Sequence, residues 1–284
     1  MTFTLSPVIA HRGDRKFAPE NTLYAFRQAA RKGARWVEFD ATLTRDTNQP
    51  VVIFHDDEVG RTTNLPNKPI TAVSFNDLRN ADAGSWFSES FAGEKVPTLI
   101  EAIELCDKLG LSMNIKIKVT SNGDRESPEP FDERLAALTA QRVVEDVIKA
   151  RSGNWDNILL SSFSTAALLK ALELAPEAPR GYRVHKLWPD DNFDDKLPDF
   201  SQRVGRIKPS TVNFNQELLS SPQRVDRFKA VIARTLGHHV PMLAYTVNDP
   251  IRYSKLLEWG VVGVSTDMPG ELLNPTQHSA HESY

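Results

Sequence analysis

The sequence has few of the features that would place a protein outside the cell or on nucleic acid. It contains a single cysteine, Cys106, so it can form no intramolecular disulfide and lacks the paired cysteines of a zinc site. Lysine and arginine total 34 and aspartate and glutamate total 37, which gives a net charge of −3. Because no positive field surrounds the chain, non-specific binding to nucleic acid or to an anionic membrane is not expected.

Long apolar segments are also missing. No window reaches the roughly 20 apolar residues that span a bilayer, and residues 1–10 lack the basic start and apolar stretch of a secretion signal. Together with the lone cysteine, this predicts a cytoplasmic protein without a membrane span. The 40% hydrophobic content of the 284 residues is still sufficient for a large core, which excludes a disordered chain.

Short β-rich runs alternate with helical patterns along most of the chain, which is typical of parallel strands joined by helices. Residues 41–50, between the second and third runs, are too few for a helical crossover and contain turn residues, so these two strands are predicted to form an antiparallel hairpin. Eight strands remain, the number in a closed (β/α)₈ TIM barrel. The nine predicted strands are Pro7–His11, Arg35–Asp40, Val51–His55, Leu111–Ile117, Ile158–Phe163, Gly181–Val184, Thr211–Phe214, Met242–Thr246 and Val261–Ser265.

Three helices are predicted from apolar periodicity, over Glu20–Lys32, Thr98–Leu109 and Phe131–Ala150. Residues 57–96 match neither element and are interpreted as a small insertion at the barrel mouth. We expect a single barrel domain over residues 1–275, followed by a disordered tail over residues 276–284.

Polar side chains lie near the ends of several predicted strands, where TIM barrels place their reactive groups. Glu38 and Asp40 are two residues apart and therefore share one strand face. If that face points inward, the two carboxylates repel each other, and Mg²⁺ or Ca²⁺ bound to their oxygens would relieve the repulsion. A lysine-paired or solvated acidic pair is the alternative interpretation, and the pair alone does not decide between them.

Two histidines, His11 and His55, also end apolar strand patterns. Imidazoles titrate near neutral pH and can transfer protons in both directions during a hydrolysis. Arg12, next to His11, offers a planar fork of donors that fits phosphate oxygens. Each residue alone is ordinary, but the combination predicts a phosphoester site.

With these residues in place, the sequence resembles the glycerophosphodiester phosphodiesterase family over nearly its whole length. The N-terminal signature occurs in order and spacing, and weaker matches follow towards the C-terminus. The resemblance implies a barrel of the phospholipase C-like phosphodiesterase group, in agreement with the strand count. The matching segments are His11-Arg12-Gly13, Pro19-Glu20-Asn21-Thr22, Glu38-x-Asp40, Thr44-x-Asp46, His55-Asp56, Arg61-Thr62-Thr63, Tyr245-Thr246-Val247-Asn248 and Thr266-Asp267.

The resemblance also implies roles for these residues. His11 and His55 would be the catalytic acid and base, Arg12 and Lys118 would bind the phosphate of the substrate, and a divalent metal would bind to two carboxylates. Those carboxylates are Glu38 and Asp40.

One position departs from the family pattern. Where the family has a glutamate as third metal ligand, in Asn-Ile-Glu-Ile-Lys, this chain has Lys116, and a protonated lysine cannot ligate a cation. Three interpretations remain open: Lys116 points away and a weakened metal site survives, Lys116 replaces the metal as an internal counter-ion, or the fold binds phosphoesters without hydrolysing them. The second avoids unpaired buried charges.

The favoured hypothesis is hydrolysis of a small-molecule glycerophosphodiester, such as glycerophosphocholine, to glycerol 3-phosphate and an alcohol. A non-catalytic phosphoester-binding protein is the alternative. A phospholipase D of the sphingomyelinase type is disfavoured by the missing secretion signal and the lone cysteine. Phe163 and Tyr245, with Lys186 and Trp188, are weaker candidates for lining a glycerol pocket, since aromatic residues at strand ends usually pack. The oligomeric state is not predicted.

Overall fold

The computed structural model describes residues 4–119, 132–185 and 193–274. Nine strands occur in this part of the chain, and each coincides with a predicted strand. The tail over residues 276–284 and the candidates Lys186 and Trp188 lie outside the described residues. The strands are β1 Val8–His11, β2 Trp36–Thr42, β3 Val52–Ile53, β4 Ser112–Ile117, β5 Ile158–Ser162, β6 Arg180–Val184, β7 Thr211–Asn215, β8 Met242–Tyr245 and β9 Gly263–Thr266.

Eight of these strands close into a parallel barrel, which confirms the predicted (β/α)₈ fold. The order around the ring is β1, β9, β8, β7, β6, β5, β4 and β2, and β2 pairs again with β1. In that closing pair His11 stands opposite Glu38. The ninth strand, β3, lies outside the ring and pairs antiparallel with β2, with Ala41 opposite Ile53, as the hairpin prediction required.

The barrel interior is apolar near the N-terminal ends of the strands and polar near their C-terminal ends. Ile9, Trp36, Leu159 and Leu243 come from four different strands yet pack against one another, so they must meet inside the ring. Nearer the C-terminal ends of the strands the buried side chains include charged and amide groups, such as Glu38, Lys116 and Asn114. The apolar layer therefore lies directly beneath a layer of buried polar side chains.

The helices lie close to their predicted positions, with starts that follow their capping residues. The predicted first helix begins only at Leu23, because Thr22 is its N-cap and accepts from Ala25 N. The long fourth helix likewise follows its cap, Asp132. The helices are α1 Leu23–Arg31, α2 Phe75–Asn80, α3 Leu99–Leu109, α4 Glu133–Arg151, α5 Thr165–Leu174, α6 Phe193–Ile207, α7 Pro222–Leu236, α8 Pro250–Glu258 and α9 Pro269–Leu273.

The segment 57–96 joins β3 to α3 and contains α2 and two short 3₁₀ turns. Its apolar residues form a small core of their own against β3, including Val59, Val73 and Leu78. The carboxylate of Asp82 accepts from the backbone N–H groups of three residues and fixes a tight loop there. None of the described helices is long and apolar enough to cross a membrane.

The cap of α3 offers a test of how this connection is stabilised. Thr98 Oγ1 accepts from Glu101 N at 3.2 Å and Glu101 Oε2 accepts from Thr98 N at 2.8 Å, which is a capping box. We expect Thr98→Ala to lower the free energy of unfolding by about 1 kcal/mol in urea denaturation. Thr98→Ser keeps the hydroxyl and is the control, so equal losses in both variants would contradict the capping role.

Candidate active site

The site is organised around two carboxylates on β2. Glu38 and Asp40 are completely buried and point to the same side of the strand. In the ladder with β4 they stand opposite Asn114 and Lys116. The two carboxylates therefore lie on the inward face, as the sequence predicted, near the C-terminal ends of the barrel strands.

Asp40 is surrounded by positive and hydrogen-bonding groups. Lys116 Nζ donates to its Oδ1 at 2.6 Å, Asn21 Nδ2 donates to its Oδ2 at 3.1 Å, and Arg12 Nε forms an ion pair with Oδ2 at 3.3 Å. Burial alone would raise the pKa of Asp40, but the charges of Lys116, His55 and Arg12 hold this pKa well below its ordinary value. Asp40 is therefore ionised and paired.

Glu38 has different partners. Arg183 Nη1 donates to Glu38 Oε1 at 3.3 Å, from β6 on another side of the barrel. The second oxygen, Oε2, lies 3.8 Å from His11 Nε2 and has no hydrogen-bond partner among the described residues. Glu38 is thus neutralised by an arginine that the sequence analysis did not single out.

The turn after β1 places Arg12 and explains the glycine that follows it. Arg12 adopts a left-handed conformation with φ of 56°, and its backbone N donates to Glu38 O at 2.7 Å. Gly13 has φ of 87°, and a Cβ there would lie 2.6 Å from Ala25 Cβ. The tight turn brings the Arg12 guanidinium to Glu20, where Nη1 donates to Oε1 at 2.7 Å.

The first histidine is oriented by a carboxylate from the far end of the chain. His11 Nδ1 and Asp267 Oδ1 are 2.6 Å apart, and Asn248 Nδ2 donates to Asp267 Oδ2 at 2.8 Å. Burial raises the pKa of Asp267, but the His11 contact and the Asn248 and Arg15 groups lower it more, so it is ionised. With Nδ1 held in this way, Nε2 is the His11 atom that faces Glu38.

The second histidine is held in the same manner. His55 Nδ1 lies 2.7 Å from Asp56 Oδ1, and Arg61 Nη2 donates to that oxygen at 2.9 Å. Arg61 also donates to Glu20, which in turn contacts Arg12. Burial lowers the pKa of His55, although Asp40 and Asp56 oppose this. Through Asp56, Arg61 and Glu20, these contacts link His55 to Arg12, which lies beside Asp40.

Lys118 lies at the edge of this network. Its Nζ donates to Asp57 Oδ1 at 2.8 Å. Together with His55 and Arg61 it lines an open cavity of about 740 Å³. Direct contacts therefore join five of the seven predicted site residues, namely His11, Arg12, Glu38, Asp40 and Lys116. His55 is linked to them through Asp56, Arg61 and Glu20, and Lys118 lies at the cavity beside His55.

Comparison with known proteins decides the family. The family model described as "Glycerophosphoryl diester phosphodiesterase family" matches residues 11–271. The chain belongs to this family, whose members are phosphoric diester hydrolases.

Individual relatives agree with the match. A glycerophosphodiester phosphodiesterase of Bacillus altitudinis is 33% identical over 267 residues, covering 93% of this chain and 96% of the relative. One from Caldanaerobacter subterraneus subsp. tengcongensis is 29% identical over 268 residues, covering 94% and 96%. Among solved structures, an Oleispira antarctica phosphodiesterase in complex with the product sn-glycerol-3-phosphate has a TM-score of 0.79 and 30% identity, covering 96% of this chain and 97% of that one. The sequence resemblance is thus confirmed, and hydrolysis of phosphodiesters is the activity it supports.

A divalent metal, which the family resemblance implies, does not fit the residues at this position. Both oxygens of Asp40 and one oxygen of Glu38 are already engaged by charged or amide donors, namely Lys116, Arg12, Asn21 and Arg183. Of the four oxygens of Glu38 and Asp40, only Glu38 Oε2 has no hydrogen-bond partner among the described residues. Since Mg²⁺ and Ca²⁺ require about six oxygen ligands, one carboxylate oxygen beside three cationic side chains is a poor site.

A second group of potential ligands lies nearby but is also occupied. Ligand atoms of Glu20, His55 and Asp56 lie within 4.8 Å of one another. Arg61 donates to both carboxylates. Burial raises the pKa of Glu20, but the hydrogen bond from Arg61 and the charges of Arg12 and Arg15 lower it to about 2. An arginine therefore already provides the positive charge of this group.

Several residues that hold the site together carried no role in the sequence analysis. Asp267, Asp56, Glu20 and Arg61 lay in segments that match the family, which was the available signal for them. Arg183 had none beyond being a charged residue in the middle of an apolar strand pattern. Its contact with Glu38 depends on the curvature of the barrel, which no local pattern reveals.

The orientation of His11 by Asp267 is open to test. We expect Asp267→Asn to lower kcat by roughly 10²- to 10⁴-fold, because the amide no longer favours the tautomer with the proton on Nδ1. Release of glycerol 3-phosphate from glycerophosphocholine is the measurement. Glu271→Gln, which alters only an exposed pair with Lys16, is the matched control. A kcat of Asp267→Asn equal to that of the control would contradict the orienting role.

Proposed function

We propose that this protein hydrolyses glycerophosphodiesters, such as glycerophosphocholine or glycerophosphoethanolamine, to glycerol 3-phosphate and the free alcohol. Water supplies the oxygen and the two protons, while one phosphorus–oxygen bond to the alcohol breaks. The family and the product complex of the Oleispira antarctica relative support the substrate class. The observation that carries the proposal is the pair of carboxylate-anchored histidines, His11 and His55, next to the couple formed by Glu38 and Asp40.

Proton transfer is assigned to the two histidines. Since burial lowers the pKa of His55, this imidazole is neutral at pH 7 and is able to accept the proton of the attacking hydroxyl. His11, oriented through Nδ1 by Asp267, donates a proton to the leaving alkoxide through Nε2. The attacking group is the 2-hydroxyl of the glycerol, so this first half releases the alcohol and leaves a cyclic phosphate. In the second half water attacks the phosphorus and gives a proton to His11, while His55 returns its proton to the glycerol 2-oxygen as that phosphorus–oxygen bond breaks, which restores both histidines.

Phosphate binding is assigned to Arg12 and Lys118, and charge balance to Lys116. In this proposal Lys116 acts as an internal counter-ion of Asp40 where other family members hold a metal. The 2.6 Å contact between Lys116 Nζ and Asp40 Oδ1 supports this assignment. Positive groups around the phosphorus stabilise the charge that develops in the transition state.

The same contact favours a second candidate function, a phosphoester-binding protein without catalysis. An ammonium held against Asp40 could preserve the binding pocket while removing the Lewis acid that a metal supplies. Binding of glycerophosphocholine without release of glycerol 3-phosphate would identify this function.

Release of glycerol 3-phosphate distinguishes the two functions, and its dependence on metal tests the role of Lys116. We expect the unmodified chain to release glycerol 3-phosphate from glycerophosphocholine at the same rate in EDTA as in Mg²⁺ or Ca²⁺. His55→Ala provides the inactive background. Activity that disappears in EDTA would contradict Lys116 as the counter-ion, and no release under any condition would favour the binding protein.

The pH profile tests the proton acceptor. Because His55 must be neutral to act and burial lowers its pKa, kcat/KM should fall only below pH ~6.5, the ordinary histidine value. Asp56→Asn removes the negative charge that opposes this lowering, so the midpoint should move to still lower pH. A midpoint above the ordinary value in the unmodified protein, or a rise in Asp56→Asn, would assign the acceptor role elsewhere.

A further inference from the structure

Arg183 is a charged residue inside the barrel that the family signature does not include. It lies on β6, separated from β2 by two strands of the ring. Its side chain crosses the interior so that Nη1 reaches Glu38 Oε1 at 3.3 Å, and only 2% of the residue is exposed. Because desolvating an ion is costly, a guanidinium in this position requires a specific counter-charge, which Glu38 provides.

Aromatic rings fix the guanidinium in place. Its central carbon lies 4.3 Å from the centre of the Tyr245 ring and 5.4 Å from that of Phe163. A cation this close to aromatic rings is stabilised electrostatically. Tyr245 is itself held, since its hydroxyl donates to Val184 O at 2.6 Å. Arg183 Nε has no acceptor among the described residues, so it is a donor kept available inside the site.

Lys116 and Arg183 are neighbours in the barrel interior. Lys116 Nζ lies 5.6 Å from the same Phe163 ring. Burial lowers the pKa of Lys116, Asp40 opposes this, and the positive charge of Arg183 lowers it again. Two buried cations so placed repel each other unless each has a carboxylate, and here Lys116 holds Asp40 while Arg183 holds Glu38. The four side chains have no net charge.

We propose that Arg183 and Lys116 form a cation pair that takes the place of a divalent metal at Glu38 and Asp40. One guanidinium and one ammonium supply the two positive charges that such an ion would bring, one to each carboxylate. Arg183 is the positioning residue for Glu38, and its Nε is a donor for the negative charge that develops on a bound phosphate. The part concerning catalysis rests on the proposed function, whereas the exclusion of metal does not.

If Arg183 acts together with Lys116, replacing Lys116 alone does not fully restore metal binding. Lys116→Glu restores the third carboxylate of the family but leaves Arg183 against Glu38. The charge of Arg183 would still oppose a divalent ion and occupy one ligand. Both positions must therefore change before the site binds a metal at full affinity, and Lys116→Glu alone should bind it more weakly.

Thermal melts with and without Ca²⁺ test this consequence independently of activity. We expect Ca²⁺ to raise the Tm of Lys116→Glu/Arg183→Met, because an ion that binds only the folded state stabilises it. The Ca²⁺ affinity obtained from the dependence of Tm on concentration should be about tenfold weaker for Lys116→Glu alone. The unmodified chain should show no shift.

Two results would overturn the cation pair. Equal Ca²⁺ affinities of the single and double variants would remove Arg183 from the pair, as would a folded double variant that does not respond to Ca²⁺. If circular dichroism shows the double variant to be unfolded, Lys116→Glu/Arg183→Gln, which retains a donor for Glu38, is judged by the same two criteria.

Kinetics test the positioning role. We expect Arg183→Met to lower kcat for glycerophosphocholine about 100-fold with little change in KM. Arg183→Lys keeps the charge and should recover most of the loss, and Arg203→Met, on the outer helix α6, should behave like the unmodified chain. Unchanged kcat in Arg183→Met would overturn the role. If even the unmodified chain has no activity, the proposed function fails, while the Ca²⁺ melts still decide on the cation pair.

Discussion

The structure depends on the neutralisation of two carboxylates inside a closed barrel. Glu38 and Asp40 are completely buried on one strand face, and an unpaired ion in such surroundings costs roughly several kcal/mol. Lys116, Arg183 and Arg12 provide the opposing charge from three different elements. Because each of these contacts joins elements that are distant along the chain, the charge balance of the site also fixes how those elements are placed.

The barrel makes this balance possible by separating its layers. An apolar floor that includes Trp36 and Leu243 fills the lower interior, so the charged layer forms only where the strands end. Above it, the connecting segments supply the groups that orient the histidines. Asp267 after β9 holds His11, and Asp56 after β3 holds His55. Rigid strands thus carry the central charges, while loops carry the groups that direct the imidazoles.

Much of the architecture could be predicted from the sequence because its signals are local. The nine strands follow from apolar runs, and the antiparallel hairpin follows from the short turn between β2 and β3. Strand-end position also identified His11 and His55 as candidates. Pairing of Lys116 with the two carboxylates was one of three interpretations of the sequence, and its register opposite Asp40 is given only by the ladder between β2 and β4.

The remaining features depend on distances across the barrel. Arg183 is a polar interruption in a strand pattern, and only closure of the ring brings it to Glu38. Arg61 joins Asp56 to Glu20 through a turn whose path the sequence does not reveal. Lys118 was predicted to bind phosphate, a role that stays a prediction, and its contact with Asp57 at the cavity edge was not anticipated. Long-range charge pairing is therefore the part that sequence patterns leave open.

Calorimetric titration of the unmodified protein with Ca²⁺ and Mg²⁺ measures whether the β2 carboxylates still accept a divalent ion. If lysine and arginine side chains already neutralise the β2 carboxylates, neither ion should bind at concentrations up to about 1 mM, which is within the usual range for protein calcium sites. Binding of one ion per chain, lost when Glu38 is replaced by glutamine, would contradict the account.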